Sequence, residues 1–269
     1  MADQIEKYWK KQSSLKPIFP DFLWNKPERK TGRIAIIGGN SRGFSSVVAA
    51  YSTALKFPVE NVKIILPDSL KKQIPSNILD VIFAKSGPSG GFSNEALPEL
   101  NAAESYSNSA ILIGDSGANA ETSALFTKFI REKTSLITIT RDAVDLISNS
   151  AEEILTKPNI HLVLGISQLQ KLSRKVYYPR VITLTASPIQ LAETLHKFTL
   201  TYPAKISLWH AGQLFFATNG QVFSMDFDQP MRVWSGEIAV RESVWIAWIS
   251  PENLERDFPK SVLSSWLEL

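Results

Sequence analysis

The chain has 269 residues, 44% of them hydrophobic and 20% charged, which is enough apolar material for one large core. It has no cysteine, which excludes disulfides, thiolate nucleophiles and cysteine-ligated zinc, and its net charge of +3 is too small to favour nucleic-acid binding. The three histidines lack metal-ligand spacing, so we expect no metal site built from the chain's own ligands. No signal peptide or membrane-spanning stretch is recognisable, and we therefore expect a soluble cytoplasmic protein.

Residues 1–31 predict an arm without a core of its own. A helix is predicted from Asp3 to Ser13, and three prolines then prevent regular structure: Pro17, Pro20 and Pro27. The arm is basic and carries large aromatic side chains, namely Trp9, Phe19, Phe22 and Trp24. Such rings need cover from their own domain or from a neighbouring subunit. We favour a subunit contact and so expect a homo-oligomer.

The stretch from Gly32 to Lys56 opens the main domain, predicted to span residues 32–269, with a strand, a glycine turn and a helix. The strand, Arg33 to Ile37, is a short apolar run, and Ser45 or Ser46 can cap the helix that follows Gly38-Gly39. A helix N-terminus facing a glycine turn suits an anion, although many such units are only tight connections. The glycines match neither the dinucleotide fingerprint nor the P-loop.

Strands and helices then alternate along the chain. The predicted strands are Asn61 to Leu66, Asn77 to Phe83, Ala110 to Ile113, Ser135 to Thr140 and Ile160 to Leu164. The predicted helices are Ala120 to Glu132, a short one after Asp142, and Ser167 to Lys175. This alternation predicts a parallel sheet with right-handed crossovers. Because glycine corners of such a sheet lie at the carboxyl ends of its strands, residues 38–46 and 114–119 should edge one crevice.

The last third of the chain predicts a meander between helices. A helix from Pro188 to Thr201 precedes three strands: Ala204 to Trp209, Gln213 to Thr218 and Gln221 to Met225. Asn219-Gly220 between the last two is typical of a type I′ hairpin. A further helix begins near Ser235-Gly236, and a final one follows Pro251 and ends at Trp266.

The order of these corners, over roughly residues 32–250, resembles the ribokinase-like fold and, within it, the ATP/ADP-dependent NAD(P)H-hydrate dehydratases. The family's GGS turn, V-G-P-G-L-G corner and L-D-A-D-A-L-N-L-L segment are similar to residues 34–50, 113–118 and 139–147. Its T-P-H-P-G-E, K-G and G-S-G-D motifs correspond to residues 163–168, 208–210 and 234–237. The resemblance implies an α/β fold, a three-layer α/β/α domain with a mostly parallel central sheet and a C-terminal β-meander.

The resemblance also implies a site. It gives Glu237 the place of the family's catalytic aspartate, and it assigns two binding sets. The substrate set is Ser46, Ser116, Gly117 and Gly165, and the nucleotide set is Trp209, His210, Ser235 and Gly236. Four family residues are replaced here: the histidine beside nicotinamide is Gly165, the lysine-glycine pair is Trp209-His210, and the aspartate is Glu237.

The implied reaction is the repair of hydrated NADH or NADPH, a lyase reaction in which ADP or ATP, with Mg²⁺, phosphorylates the ring hydroxyl before phosphate is eliminated. Glu237 would be the base, or alternatively an ordinary glutamate stabilised by the helix dipole. The sequence leaves open a working dehydratase, a non-catalytic relative that binds a ligand or serves assembly, and a kinase for a small alcohol. We expect weak adenine-nucleotide binding, because Trp209-His210 supplies neither the lysine charge nor the close approach of glycine.

Overall fold

The computed structural model describes residues 5–74 and 80–269, without the side chains of Trp24 and Asn25. Ten strands within these residues form one sheet: β1 (Trp9–Gln12), β2 (Arg33–Gly38), β3 (Asn61–Pro67), β4 (Val81–Ala84), β5 (Ser109–Gly114), β6 (Ile137–Thr140), β7 (Ile160–Gly165), β8 (Lys205–His210), β9 (Gln213–Thr218) and β10 (Gln221–Asp226). The α-helices are α1 (Ser45–Ala54), α2 (Leu97–Ser105), α3 (Ala120–Glu132), α4 (Asp142–Leu146), α5 (Ala151–Leu155), α6 (Ile166–Lys175), α7 (Pro188–Thr201), α8 (Pro230–Trp234), α9 (Glu237–Ala247) and α10 (Leu254–Leu267).

The sheet order is β1-β10-β9-β8-β7-β6-β5-β2-β3-β4. Strands β2 to β8 run parallel, and β9 is antiparallel to both β8 and β10. Asn219 and Gly220 join β9 to β10 with positive φ angles of 46° and 75°, as a type I′ turn requires. The predicted parallel sheet and C-terminal meander are both confirmed.

Helices cover both faces of the sheet, which confirms the predicted three-layer α/β/α architecture. Helices α2 to α7 pack on one face, while α1, α8, α9 and α10 pack on the other. Strand β2 shows why residues 34–37 are all apolar: Ala35 and Ile37 enter the first layer, and Ile34 and Ile36 enter the second.

The N-terminal arm differs from its prediction. Residues 9–12 of the predicted helix instead form β1, which pairs in parallel with β10 at the edge of the sheet, and residues 1–4 lie outside the described part. An open strand edge offers a row of unpaired backbone groups, and pairing with it outweighs a weak local helix preference. Trp9 donates its indole N–H to Ser224 Oγ at 2.9 Å, and the Phe19 ring lies 6.2 Å from that of Phe223. These arm residues pack on their own domain, and the homo-oligomer stays a prediction.

The start of one strand and the cap of one helix also differ from their predictions. The strand predicted from Asn77 begins at Val81, and residues 75–79 lie outside the described part. Helix α1 has Phe44 at its N-cap with no side-chain cap, so neither Ser45 nor Ser46 caps it. A carboxylate from another corner of the sheet takes that role, as described below.

Candidate functional site

The carboxyl ends of β2 and β5 meet at the predicted crevice, and their glycines are needed for this close approach. The Gly39 N–H donates to the Gly114 carbonyl at 2.9 Å. A Cβ on Gly38 would lie 2.4 Å from the same carbonyl oxygen, which no side chain tolerates. Gly38-Gly39 therefore has a structural role in joining two corners.

Asp115 is the polar centre of the crevice. Its Oδ2 accepts from the Ser46 N–H at 2.8 Å, and its Oδ1 accepts from Arg141 Nη2 at 3.0 Å. The Asp115 N–H in turn donates to Asp142 Oδ1 at 2.9 Å. Burial alone would raise the pKa of Asp115, but the hydrogen bonds from Ser46 and the Arg141 charge hold that pKa below its ordinary value. Asp115 thus caps α1 as an ionised carboxylate.

Arg141 spans the crevice from Asp115 to the turn before α9. Its Nη1 donates to the Trp234 carbonyl at 2.7 Å, while its own carbonyl accepts from Gln168 Nε2 at 2.8 Å. A Cβ on Gly236 would lie 3.1 Å from Arg141 Cδ, so the arginine stem covers this glycine. Arg141 holds this position with a φ of +56°, an uncommon conformation for a side chain of its size.

Glu237, the predicted base, is engaged in two ion pairs. Its Oε1 accepts from Arg232 Nη2 at 2.5 Å and from Arg241 Nε at 3.0 Å. The two guanidinium groups also donate to the carbonyls of Leu269 and Glu268, respectively, at the end of the chain. Burial opposes ionisation of Glu237, but the hydrogen bonds from both arginines keep its pKa below the ordinary value.

A cleft of about 540 Å³ lies beside this network, at the carboxyl ends of β6 and β7. Its lining includes three aspartates and one arginine, together with the half-exposed Trp234 ring: Asp115, Asp142, Asp145 and Arg141. Asp145 is paired with Lys171 at 2.8 Å. Because Asp115 is paired with Arg141 and Asp145 with Lys171, the lining of the cleft, within the described residues, offers no unpaired cation to a polyphosphate.

The predicted substrate residues are distributed around the crevice. Ser46 binds Asp115 through its backbone, as described above, and Gly117 has a φ of +74°. Ser116 is fully buried and donates its hydroxyl to the Gly114 carbonyl at 3.3 Å. Gly165 lines the cleft. The side chains of Ser46 and Ser116 are both buried and are not presented to the crevice.

The predicted nucleotide residues form two groups. Trp209 donates its indole N–H to the Phe227 carbonyl at 2.8 Å, and its ring lies 6.1 Å from that of Trp234. His210 is buried and lies 2.6 Å, through Nε2, from the Ala186 carbonyl. Ser235 and Gly236 form the turn before α9, where Ser235 Oγ donates to the Arg232 carbonyl at 3.2 Å. Neither Trp209 nor His210 offers a free charge to a phosphate.

Sequence reasoning missed the connecting roles of Asn40, Asp115 and Arg141. Asn40 donates through Nδ2 to the Asp115 carbonyl, so it links the same two corners as Asp115 does. The sequence did offer signals for these roles. An asparagine directly follows a glycine pair, and a charged residue directly follows each of β5 and β6.

Within residues 5–74 and 80–269, no group of three or more His, Asp or Glu side chains is arranged to hold a metal ion. In the same ranges, no helix combines the length and apolar character needed to cross a membrane.

Solved structures show what this chain is similar to. A ribokinase-like superfamily protein from Enterococcus faecalis has a TM-score of 0.68 and 12% identity, over 96% of this chain and 85% of that chain. The fold is ribokinase-like. An ADP/ATP-dependent NAD(P)H-hydrate dehydratase from Bacillus subtilis, co-crystallised with ATP/Mg²⁺ and soaked with CoA, has a TM-score of 0.61 and 11% identity, over 93% and 86% of the two chains. No family model and no curated protein sequence matches this chain.

Proposed function

We propose that this chain is a non-catalytic ribokinase-like protein, whose crevice binds a small molecule without transferring a phosphoryl group to it. The surroundings of Glu237 support this proposal most directly. A general base must direct a free carboxylate oxygen at the hydroxyl that it deprotonates. Here Arg232 and Arg241 both donate to Oε1 of Glu237, so Oε2 is the oxygen that could face a hydroxyl, and the two ion pairs with the lowered pKa make the carboxylate a weaker base.

Arg141 adds a second reason. Its stem covers Gly236, and its guanidinium joins Asp115 to the Trp234 carbonyl. The backbone turn that would face a transferred phosphoryl group is therefore already in contact with a side chain of the protein. The Gly236 N–H also already donates to the Val233 carbonyl at 3.0 Å, so a phosphoryl group at this turn would compete with an existing hydrogen bond.

The residues at the predicted nucleotide positions also support a non-catalytic protein. ADP or ATP with Mg²⁺ requires cations and close backbone approach at the phosphates. Trp209 and His210 provide a bulky ring and a buried ring, and both are held by backbone carbonyls. These residues do not fit a nucleotide phosphate, so we expect no micromolar complex with ADP or ATP, and calorimetry would test this directly.

The second candidate is a nucleotide-dependent NAD(P)H-hydrate dehydratase. It is favoured by the similarity, over 93% of this chain, to a dehydratase that was co-crystallised with ATP/Mg²⁺. In that case hydrated NADH or NADPH would be the substrate, Glu237 the base, and Ser46, Gly117 and Gly165 substrate contacts. Ser46 and Ser116 would contribute through their backbones, because both side chains are buried.

One assay separates the two candidates. The purified chain is incubated with hydrated NADH or NADPH, Mg²⁺ and either ADP or ATP, and the recovery of reduced-nicotinamide absorbance is followed. We expect no recovery. Turnover that disappears in Glu237→Gln and persists in Glu193→Gln, a surface glutamate also paired with two cations, would establish the dehydratase instead.

Ligand binding is tested separately. A thermal-shift screen with AMP, ADP, ATP, NADH and NADPH reports any compound that binds the native state, because such binding raises the melting temperature by mass action. We expect larger shifts from uncharged or cationic compounds added to the screen than from these phosphates. If only the phosphate-bearing compounds raised the melting temperature, the expected preference of the cleft for uncharged or cationic ligands would be wrong.

A further inference from the structure

Residues 171–189, here called the basic segment, comprise the end of α6, the connection to α7 and the first residues of α7, and they include no acidic residue. The cations of the segment are Lys171, Arg174, Lys175 and Arg180. Asp145 pairs with Lys171 at 2.8 Å, and Glu193 pairs with Arg180 at 3.2 Å. Lys175 instead binds the neutral side-chain oxygen of Asn149 at 3.0 Å, and Arg174 is exposed. The basic segment therefore presents an excess of positive charge to solvent.

The basic segment also holds large apolar side chains in water. Tyr177 is 92% exposed and Val181 is 80% exposed, and Leu184 and Ile189 are each slightly more than half exposed. Singly exposed apolar side chains need no explanation, whereas four of them between positions 177 and 189 indicate a surface that contacts something apolar.

Neighbouring residues fix the backbone from which these side chains project. Ile182, directly after Val181, is buried in the core, and its carbonyl accepts from Gln170 Nε2 at 2.6 Å. The ring of Tyr178, directly after Tyr177, lies 4.9 Å from the Phe198 ring. The exposed side chains thus alternate with anchored ones and are held in place by them.

Tyr177 occupies a backbone position that favours glycine. Its φ is +50°, and its N–H donates to the Arg174 carbonyl at 3.2 Å. The following N–H, of Tyr178, donates to the Ser173 carbonyl at 2.9 Å. These two hydrogen bonds form the Schellman motif that ends α6, in which the left-handed residue is usually glycine. An exposed tyrosine here gains little burial and has a conformational cost, so the stability of the fold does not explain its side chain.

A membrane surface that contains anionic lipids fits this combination of groups best. Its negative potential attracts clustered Lys and Arg, and tyrosine suits the boundary between headgroups and acyl chains. Aliphatic side chains can enter that boundary without a preformed pocket in a partner. A nucleic acid would use the cations and the tyrosine ring, but it would gain nothing from Val181 or Leu184.

We propose that the basic segment binds the surface of a membrane that contains anionic lipids. The side chains of Tyr177, Val181 and Leu184 enter the headgroup region, while Arg174 and Lys175 remain at the level of the lipid phosphates. Such binding is peripheral and needs no helix that crosses the membrane.

Sedimentation of the full chain with lipid vesicles tests the proposal. One set of vesicles is phosphatidylcholine alone, and in the other set one lipid in three is phosphatidylserine. We expect the chain to bind the mixed vesicles at least about tenfold more tightly, since each cation near an anionic surface contributes about fivefold. Because salt screens exposed charges, about 0.5 M salt should weaken this binding several-fold.

Two variants test the apolar side chains. Leu184→Ser should bind the mixed vesicles at least about fivefold more weakly. Its control is Leu55→Ser, at a position that directly follows α1 on the opposite face of the sheet and that is 54% exposed, as Leu184 is, and this variant should bind as the wild type does. Tyr177→Gly should weaken binding several-fold while leaving the melting temperature unchanged or higher, because glycine suits the left-handed position.

A third variant tests the charge. Arg174→Gln should weaken binding to the mixed vesicles about fivefold, whereas Arg29→Gln, at an exposed position before β2, should have no effect. None of the substituted residues lines the cleft beside Arg141, so the outcome does not depend on the function of the crevice.

Three results would overturn the proposal. The first is an equal affinity for the two kinds of vesicle, or no binding to either. The second is vesicle binding that both Leu184→Ser and Tyr177→Gly leave unchanged, which would mean that the apolar side chains do not enter the membrane. The third is tighter binding to single-stranded poly-U RNA than to the mixed vesicles, which would make a nucleic acid the partner.

Discussion

Arg141 holds Asp115 through a single contact of 3.0 Å between Nη2 and Oδ1, and the same guanidinium reaches the Trp234 carbonyl at 2.7 Å. The pair is largely buried, with 26% of the arginine side chain and 17% of the aspartate side chain exposed. The contact links the corner after β5 to the turn before α9. The two sides of the crevice are therefore held by one cation.

The first prediction concerns Arg141→Ala. It removes both hydrogen bonds and leaves Asp115 without its cation, so we expect the free energy of unfolding to fall by about 2 to 4 kcal/mol. Denaturant titration measures this loss. The control is Arg131→Ala, whose partner is Glu153 and whose side chain is 60% exposed, and which should cost no more than about 1 kcal/mol. If both variants lost the same free energy of unfolding, the contacts of Arg141 would stabilise the fold no more than an exposed ion pair does.

The second prediction concerns Asp115→Asn. The amide can still accept from Ser46 but carries no charge at the start of α1, so we expect a loss of about 0.5 to 2 kcal/mol at neutral pH. The carboxylate has a pKa below its ordinary 3.8, so its stabilising effect is complete above that value and is lost as the pH falls through the lower folded-state pKa. The variant should therefore lose less stability than the wild type on acidification. Asp226→Asn, at a side chain that is 72% exposed, is the control.

The fold could be predicted further from the sequence than the site could. The apolar strands and the Asn219-Gly220 hairpin have sequence patterns within the elements themselves, and the structure contains these elements where they were predicted. The edge strand β1 was mistaken for a helix because its partner β10 is remote in sequence. Helix α2 was not predicted because it is short and its apolar residues are few, although Pro98 in its first turn is itself a helix-start signal.

In the site, the glycine corners were recognisable because glycine marks backbone conformations that other residues avoid. Asp115 and Arg141 adopt such conformations without being glycine, with φ angles of +55° and +56°. Their geometry depends on contacts between separate corners, which no local pattern records. Glu237 and Arg241 have the i,i+4 spacing of a helical ion pair, which the sequence does show, whereas the contacts of Arg232 and Arg241 with the Leu269 and Glu268 carbonyls depend on the fold.

The third prediction concerns a buried pair, His161 and Glu242. Both side chains are fully buried, and His161 Nε2 lies 3.2 Å from Glu242 Oε2. Burial raises the pKa of Glu242 to about 8, against the hydrogen bonds from Trp266 and Ser207. Burial also lowers the pKa of His161 to about 3, and the Lys205 charge adds to this. Both groups are therefore neutral in the folded protein at pH 7.

The pH dependence of stability follows from these values. Between 4.5 and about 8 the folded state keeps the Glu242 proton that the unfolded state has released, so stability falls as pH rises. Between about 3 and 6.5 the unfolded state binds the His161 proton that the folded state lacks, so stability rises with pH. The two effects oppose each other between 4.5 and 6.5, and above 6.5 the Glu242 effect remains, with a limiting slope of about 1.4 kcal/mol per pH unit.

Denaturant titration from pH 6 to 9 measures this slope. Glu242→Gln should abolish the fall in stability above pH 6.5, since the amide has no proton to lose. Glu152→Gln, at an exposed position, should keep the wild-type profile. A Glu242→Gln profile that follows the wild type would mean that the carboxyl group does not titrate in this range.

The fourth prediction concerns the N-terminal arm. Deletion of residues 1–30 removes β1 and the Gln12 side chain, which is buried and donates to the Leu263 carbonyl at 2.9 Å. We expect a lower melting temperature, because the edge of β10 and the face of α10 lose their cover. Sedimentation of both forms tests the predicted homo-oligomer: a deletion that reduces the number of subunits places the arm at the contact, whereas a wild-type monomer excludes the oligomer.

Strand β1 can join the sheet only after its partner β10 has been synthesised. Trp9 and its partner Ser224 are 215 positions apart in the chain, so β1 leaves the ribosome long before β10 exists. At about 5 to 20 residues per second, the Trp9 ring waits roughly 10 to 40 s for its site to be synthesised. During synthesis the arm is an unpaired aromatic segment, and its insertion beside β10 has to be a late event in folding.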